Sequence, residues 1–164
     1  MKFLLTFLFF VVTNICLSQT YKPKWILNDF NKAYVKALEE GKPLFIYFTS
    51  DGWSPYCEKL DKYILNTKDF KEWSDTSFVL LKLTYNYKIS ENPSEVEKTN
   101  ESIKKDFQNM GYPIYGYPAT MLIQPMICEE LQVLVDMGYI NDLHNPNEWI
   151  EIFNRLVSLN INND

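Results

Sequence analysis

The sequence lacks the residue patterns that form metal, phosphate and nucleic-acid sites. Its single histidine, His144, has no Cys, Asp or His at the spacing of a metal-ligand set, so no metal site is predicted. Lys and Arg number 16 against 21 Asp and Glu, and they form no cluster able to release counterions from nucleic acid. No glycine-rich phosphate loop and no Ser-His-Asp arrangement is present. The sequence therefore predicts no bound cofactor and no nucleic-acid partner.

Long apolar runs are also scarce, and the one at the N-terminus predicts a secretory signal peptide. Residues 3–12 are apolar and follow Met1-Lys2, and Cys16 and Ser18 supply small residues at positions −3 and −1 of a cleavage site. We expect a signal peptide over 1–18 and one mature domain over 19–164. A lipid anchor on Cys16 is disfavoured by bulky Ile15. No later segment could span a bilayer, so the mature chain is predicted to be exported to the periplasm or the extracellular space.

The mature domain shows the alternation of an α/β protein. Apolar spacing predicts the order helix, strand, helix, strand, helix, strand, strand, helix. We expect a central mixed sheet of about four strands flanked by helices. The strands are predicted at 44–49, 78–85, 119–123 and 131–137. The four helices of this order are predicted at about 29–40, 54–64, 98–109 and 146–159, and a further short helix is predicted at 69–73, directly after the second.

The most informative segment joins a buried strand to a helix start. Trp53-Ser54-Pro55-Tyr56-Cys57 follows the apolar run at 44–49. Serine is a favoured N-cap and proline a favoured first helical residue, so Ser54 and Pro55 predict a well-formed helix start by themselves. A purely structural role for Ser54 is consistent with this pattern.

This segment and three others resemble the thioredoxin superfamily. The others are the strand 78–85, the Gly116-Tyr117-Pro118 turn before the third strand, and the closing hairpin and helix. Lys59-Leu60-Asp61 is similar to the pattern of exported bacterial thioredoxin-like proteins of the thiol-disulfide interchange type. The resemblance covers roughly 25–159 and implies a thioredoxin-like fold.

The resemblance also shows what the site lacks. In the family the position of Ser54 holds the attacking cysteine, and a serine hydroxyl cannot form a disulfide. The family's buried acid on the central strand matches Tyr47, a weak substitute with an ordinary pKa of about 10. Cys57 is then either an inert buried thiol or a slow single-thiol nucleophile.

Cys128 is not expected to replace the missing sulfur. Six or more extended residues carry it roughly 20 Å from Pro118. Bridgeable cysteines have Cα atoms within about 7 Å, so a bond between Cys57 and Cys128 is not expected in one fold.

Asn100-Glu101-Ser102 fits a glycosylation acceptor, a triplet that is common by chance.

The resemblance implies a peptide-binding groove that needs no sulfur. Of the two Gly-Tyr-Pro triplets, the second directly precedes an apolar strand, so Pro118 is predicted to be the family's cis proline. In the family the residue before it offers backbone hydrogen bonds to an extended peptide, a role that falls to Tyr117. Trp53, Pro55 and Tyr56 would line the groove, although the rings could instead only pack together.

Three functional hypotheses follow. The first is an exported thioredoxin-like protein with attenuated or absent oxidoreductase activity that holds a client polypeptide at the groove. The second is a single-thiol oxidoreductase or isomerase in which Cys57 attacks a client disulfide and an external thiol resolves the mixed disulfide. The third is a structural partner of an envelope protein.

Overall fold

The structure is a computed structural model that describes residues 23–50, 52–86, 91–126, 132–139, 150–152 and 154–155, with only the backbone of 132–139 described. Short helical segments at 150–152 and 154–155 belong to the predicted last helix, whose remaining residues lie outside the described ranges. His144, Cys128 and the predicted signal peptide also lie outside them. The five strands are β1 Trp25–Leu27, β2 Leu44–Ser50, β3 Val79–Tyr85, β4 Ala119–Gln124 and β5 Gln132–Tyr139. The helices are α1 Phe30–Glu40, α2 Pro55–Leu60, α3 Lys68–Ser77 and α4 Glu95–Asn109, with a π-helical segment, Asp61–Leu65, directly after α2.

The strands form one mixed sheet in the order β1-β3-β2-β4-β5. β1 and β2 run parallel to β3, whereas β4 runs antiparallel to both β2 and β5. The predicted α/β class and mixed sheet are confirmed. The described residues contain five strands against about four predicted, because Trp25–Leu27, which was not among the predicted strands, pairs with β3.

Helices cover the sheet on both sides. On one side α1 and α4 pack Ala33, Ala37 and Phe107 against side chains of the central strands. On the other side α2, the π-helical segment and α3 bury Leu60, Ile64 and Phe70. All seven residues of β2 are buried, as the apolar run predicted for a central strand covered on both faces.

Local capping sets where the helices begin. Asp29 caps α1 and Gly41 ends it in the left-handed conformation at φ 61°. The predicted start of α4 at residue 98 is wrong: the helix begins at Glu95. A reciprocal capping box between Ser94 and Glu97 fixes this start. The backbone N–H of Ser94, followed by the Asn86 side chain, holds the pKa of Glu97 below its ordinary value.

Asn100 joins three elements from inside the protein. It is completely buried, and its Nδ2 donates to Asn28 Oδ1 at 2.9 Å and to the Thr84 carbonyl at 3.0 Å. Asn28 Oδ1 also accepts from the Thr84 N–H at 2.8 Å. In the folded chain the side chain of the Asn100-Glu101-Ser102 triplet is therefore committed to the core and out of reach of a glycosyl donor.

Replacing Asn100 with Ala should lower the free energy of unfolding by about 2 kcal/mol, because two buried hydrogen bonds are lost at about 1 kcal/mol each. The matched control is Asn109→Ala, at an exposed position of the same helix, which should change it by less than about 0.5 kcal/mol. Urea denaturation of both variants measures the difference. Equal effects would show that the buried bonds do not stabilise the fold.

Candidate functional site

The site forms at one end of the sheet because of how β2 pairs with β4. Phe48 near the carboxyl end of β2 lies opposite Ala119, the first residue of β4. The segment that leaves β2 starts α2, and the segment that enters β4 contains Pro118. The pairing therefore places the start of α2 beside the Pro118 turn.

Ser54 joins these two segments. Its Oγ accepts a hydrogen bond from the Cys57 N–H at 3.4 Å, and its hydroxyl donates to the carbonyl of Tyr117 at 3.1 Å. The predicted N-cap is thus observed, with Pro55 as the first residue of α2. Ser54 is buried, and the Tyr117–Pro118 peptide bond is cis. The Ser54 side chain therefore bridges the helix start and the cis-proline turn.

Cys57 lies beneath this bridge as a free, buried thiol that is 3% exposed. Its Sγ is 3.6 Å from the Oγ of Ser50, the last residue of β2. The second predicted cysteine, Cys128, lies outside the described residues, so the expectation that the two do not pair stays a prediction.

Tyr47 extends the buried network behind Cys57. Its hydroxyl accepts from Thr49 Oγ1 at 3.0 Å and donates to the Cys57 carbonyl at 3.5 Å. Burial, and then the negative charge of Asp61, raises the pKa of Tyr47 far above its ordinary value. The phenol therefore stays protonated at neutral pH and cannot accept a proton there.

Tyr117 contributes its backbone to the site and turns its ring away into the core. The ring stacks on Tyr85 with centroids 5.0 Å apart, and its hydroxyl accepts from Lys104 Nζ at 3.1 Å. Burial, and then the negative charge of Glu101, raises the pKa of Tyr117. Tyr117 therefore brings its backbone, and not its aromatic ring, to the predicted groove.

The other predicted groove side chains lie at the surface. Trp53 is 44% and Tyr56 39% exposed, and Pro55 is also exposed. Lys59 Nζ lies 5.7 Å from the centroid of the Tyr56 ring. Trp53, Pro55 and Tyr56 therefore form an exposed patch at the start of α2, on either side of Ser54, which bonds to the cis-proline turn.

A pocket of about 300 Å³ is lined in part by Cys57, and its lining includes Asp61 and Lys82, neither of which was predicted to be a site residue. Asp61 and Lys82 form an ion pair of 3.2 Å within its lining. Lys82 is the one charged residue in the strand β3. A single charge in a mostly apolar strand is the sequence signal that could have marked Lys82 as a candidate site residue. The lining of the pocket consists of Thr49, Ser50, Gly52, Cys57, Glu58, Asp61, Lys82 and Thr84.

Within the described ranges, no three His, Cys, Asp or Glu side chains are grouped as metal ligands would be. In the same part of the chain, no helix has the length and apolar character that crossing a bilayer requires.

Comparisons with known proteins agree with this architecture. A family model described as thioredoxin-like matches residues 25–125. The disulfide bond reductase DsbH of Chlamydia pneumoniae is 26% identical over 86 residues, which are 50% of this chain and 51% of the relative. The chain therefore spans about half the length of this curated relative.

Solved structures show the same fold. A DsbH oxidoreductase superposes with a TM-score of 0.68 at 18% identity, covering 85% of this chain and 88% of the other. A thioredoxin from Thermus thermophilus superposes with a TM-score of 0.57 at 14% identity, covering 83% and 88%. The thioredoxin-like fold predicted from the sequence is confirmed.

Replacing Ser54 with Ala should lower the free energy of unfolding by about 1–2 kcal/mol, because the helix loses its N-cap and the Tyr117 carbonyl loses its donor. Thermal or urea unfolding measures the loss. Ser102→Ala, at an exposed position of α4, is the control and should change it by less than about 0.5 kcal/mol. A Ser54→Ala variant as stable as the control would contradict the bridging role.

Proposed function

The chain belongs to the thioredoxin-like family, and we propose that it is an exported member that holds a client polypeptide without two-cysteine disulfide exchange. The observation that carries the proposal is the hydrogen bond from the Ser54 hydroxyl to the Tyr117 carbonyl. The sequence resemblance matches this serine to the family's attacking cysteine. Disulfide exchange needs a thiolate that attacks a sulfur atom, and a serine hydroxyl cannot act as that nucleophile. The curated relative DsbH is named as a disulfide bond reductase, which supports a role for this chain in thiol-disulfide chemistry. We expect the reductase activity of this chain to be attenuated.

The proposed contact surface has two parts. The first is the backbone at Tyr117 and Pro118, which an extended client would pair with as an added strand. The second is the exposed patch of Trp53, Pro55 and Tyr56 beside it. Large rings at a surface supply contact area with little loss of side-chain entropy, which favours peptide binding at this place.

A single-thiol enzyme is the second candidate, and the pocket beside Cys57 favours it. The Cys57 thiolate would attack a client disulfide, form a mixed disulfide and release one client thiolate. A small external thiolate would then attack the client sulfur of the mixed disulfide, form a disulfide with it and return the electron pair to Cys57. The client would leave as its mixed disulfide with the small thiol. The pocket gives a reagent of small size a way to a thiol that is only 3% exposed.

The wild-type protein should not accelerate the reduction of insulin by dithiothreitol, because Cys57 has no partner thiol at position 54. Ser54→Cys should raise the rate on the order of tenfold, since it restores the two-cysteine arrangement at a helix start. Ser54→Cys combined with Cys57→Ser should return the rate to that of wild type. Turnover by the wild type at the level of a two-cysteine thioredoxin would sink the proposal.

Client binding should persist when no sulfur chemistry is possible. The probe is fluorescently labelled insulin B chain with both cysteines alkylated, and its binding is measured by anisotropy. Trp53→Ala and Tyr56→Ala should each weaken binding roughly fivefold, the loss expected for an aromatic contact worth about 1 kcal/mol.

Tyr63→Ala is the matched control, because Tyr63 is 50% exposed on the π-helical segment and lies outside the proposed groove. It should leave the affinity unchanged. Absence of binding by the wild type, together with trapping of a client on Cys57 as a mixed disulfide, would favour the single-thiol enzyme.

A further inference from the structure

A lysine from α4 contacts the aromatic ring of the residue that precedes the cis proline. Lys104 Nζ donates to the Tyr117 hydroxyl at 3.1 Å and lies 5.5 Å from the centroid of the Tyr117 ring. The same ammonium lies 5.6 Å from the centroid of the Tyr85 ring. The two rings are stacked with an interplanar angle of 19°, so one positive charge contacts both members of the stack.

Tyr85 gives this stack a fixed base. It is the last residue of β3 and is 3% exposed, and its hydroxyl donates to the carbonyl of Asn100 in α4 at 2.9 Å. The ring of Phe48 in β2 stacks on Tyr85 as well, with centroids 6.3 Å apart. The Tyr117 ring is therefore held by side chains that belong to the central strands and to α4.

The helix α4 directs Lys104 toward this stack. Lys104 follows the buried Asn100 by four residues and precedes the buried Phe107 by three, a spacing that places them on one face of the helix. The Lys104 side chain is 28% exposed, whereas that of Lys98 in the same helix is 55% exposed. Ordering a long lysine side chain costs rotamer entropy, which the contacts of its ammonium must offset.

These contacts act on the backbone with which the client is proposed to pair. Tyr117 directly precedes Pro118, and its carbonyl accepts from the Ser54 hydroxyl at 3.1 Å. The residue is thus held at two places, at its ring by Lys104 and at its carbonyl by Ser54. A segment that is fixed in its binding conformation beforehand loses less entropy when a partner binds.

We propose that Lys104 is a positioning residue for client binding: it holds the Tyr117 ring against Tyr85 and thereby keeps the backbone before Pro118 ready to pair with an extended client. This inference rests on the proposed function, because it takes that backbone as the place where the client pairs. Lys104 acts through Tyr117 and does not need to touch the client. The Tyr117 ring contributes to binding from the interior, without lining the groove.

The experiment measures the affinity for the alkylated insulin B chain by fluorescence anisotropy. Lys104→Met keeps the apolar stem but removes the charge and the donor, and Tyr117→Phe keeps the stacked ring but removes the acceptor. Each should weaken binding roughly threefold, the loss expected from one contact of this kind. Lys104→Arg should stay within about twofold of wild type, because arginine keeps the charge, donates hydrogen bonds and stacks on aromatic rings.

A double-mutant cycle tests whether the two side chains act through their mutual contact. Lys104→Met combined with Tyr117→Phe should then bind no more weakly than Lys104→Met alone. Lys104→Met combined with Trp53→Ala should show the product of the two single losses, because Trp53 belongs to the exposed patch at the start of α2. Losses that multiply in the first double variant would overturn the inference.

Two control variants separate positioning from general stability. Lys105→Met changes an exposed neighbour on α4 and should leave the affinity unchanged. Phe70→Leu shortens a completely buried side chain under the opposite face of the sheet, and it should lower the free energy of unfolding without changing the affinity. An equal loss of affinity in Phe70→Leu would show that the effect follows stability and would count against a positioning role.

A second measurement needs no client. The amide order parameters of Gly116 and Tyr117, obtained from NMR relaxation, should fall from about 0.85 in the wild type toward about 0.6 in Lys104→Met, and Lys104→Arg should restore them. Unchanged order parameters, or lowered ones with unchanged affinity, would refute the inference while client binding stands. If the wild type does not bind the peptide, the proposed function fails and the positioning role fails with it.

Discussion

The candidate site depends on the antiparallel pairing of β2 with β4. This pairing sets Phe48 opposite Ala119 and so brings two loops that are more than sixty residues apart to the same end of the sheet. The hydroxyl of Ser54 then joins them by donating to the carbonyl of Tyr117 and accepting from the N–H of Cys57. The Ser54 side chain thus supplies the structural link between the helix start and the cis-proline turn.

Two kinds of side chain lie near Cys57 beyond the Ser54 bridge: neutral hydroxyls in the interior and a charged pair in the pocket. The hydroxyls of Thr49 and Tyr47 form a buried chain to the Cys57 carbonyl, and burial keeps Tyr47 protonated. The full charges of Asp61 and Lys82 lie in the pocket, where they pair with each other.

Much of the fold could be predicted from local patterns. The apolar run of β2, the cap at Ser54 and the proline before β4 each have a local physical cause, and each is where the sequence placed it. The start of α4 was misplaced because the capping box at Ser94 depends on a reciprocal pair that periodicity does not register. The strand β1 was missed because three residues carry no periodicity, and only pairing with β3 defines them. In the site, the sequence left open whether the aromatic rings line a groove or only pack together. The Tyr117 ring stacks on Tyr85 and accepts a hydrogen bond from Lys104 of α4, long-range contacts that no local pattern reveals.

The three-residue length of β1 bears on self-association. An open sheet edge offers unpaired N–H and C=O groups to any extended chain, and proteins limit this hazard with very short edge strands. At the β1 edge the sheet ends in Trp25–Leu27, where a stray segment would find too few main-chain groups to continue a ladder. Strand addition at this edge of the sheet is therefore discouraged.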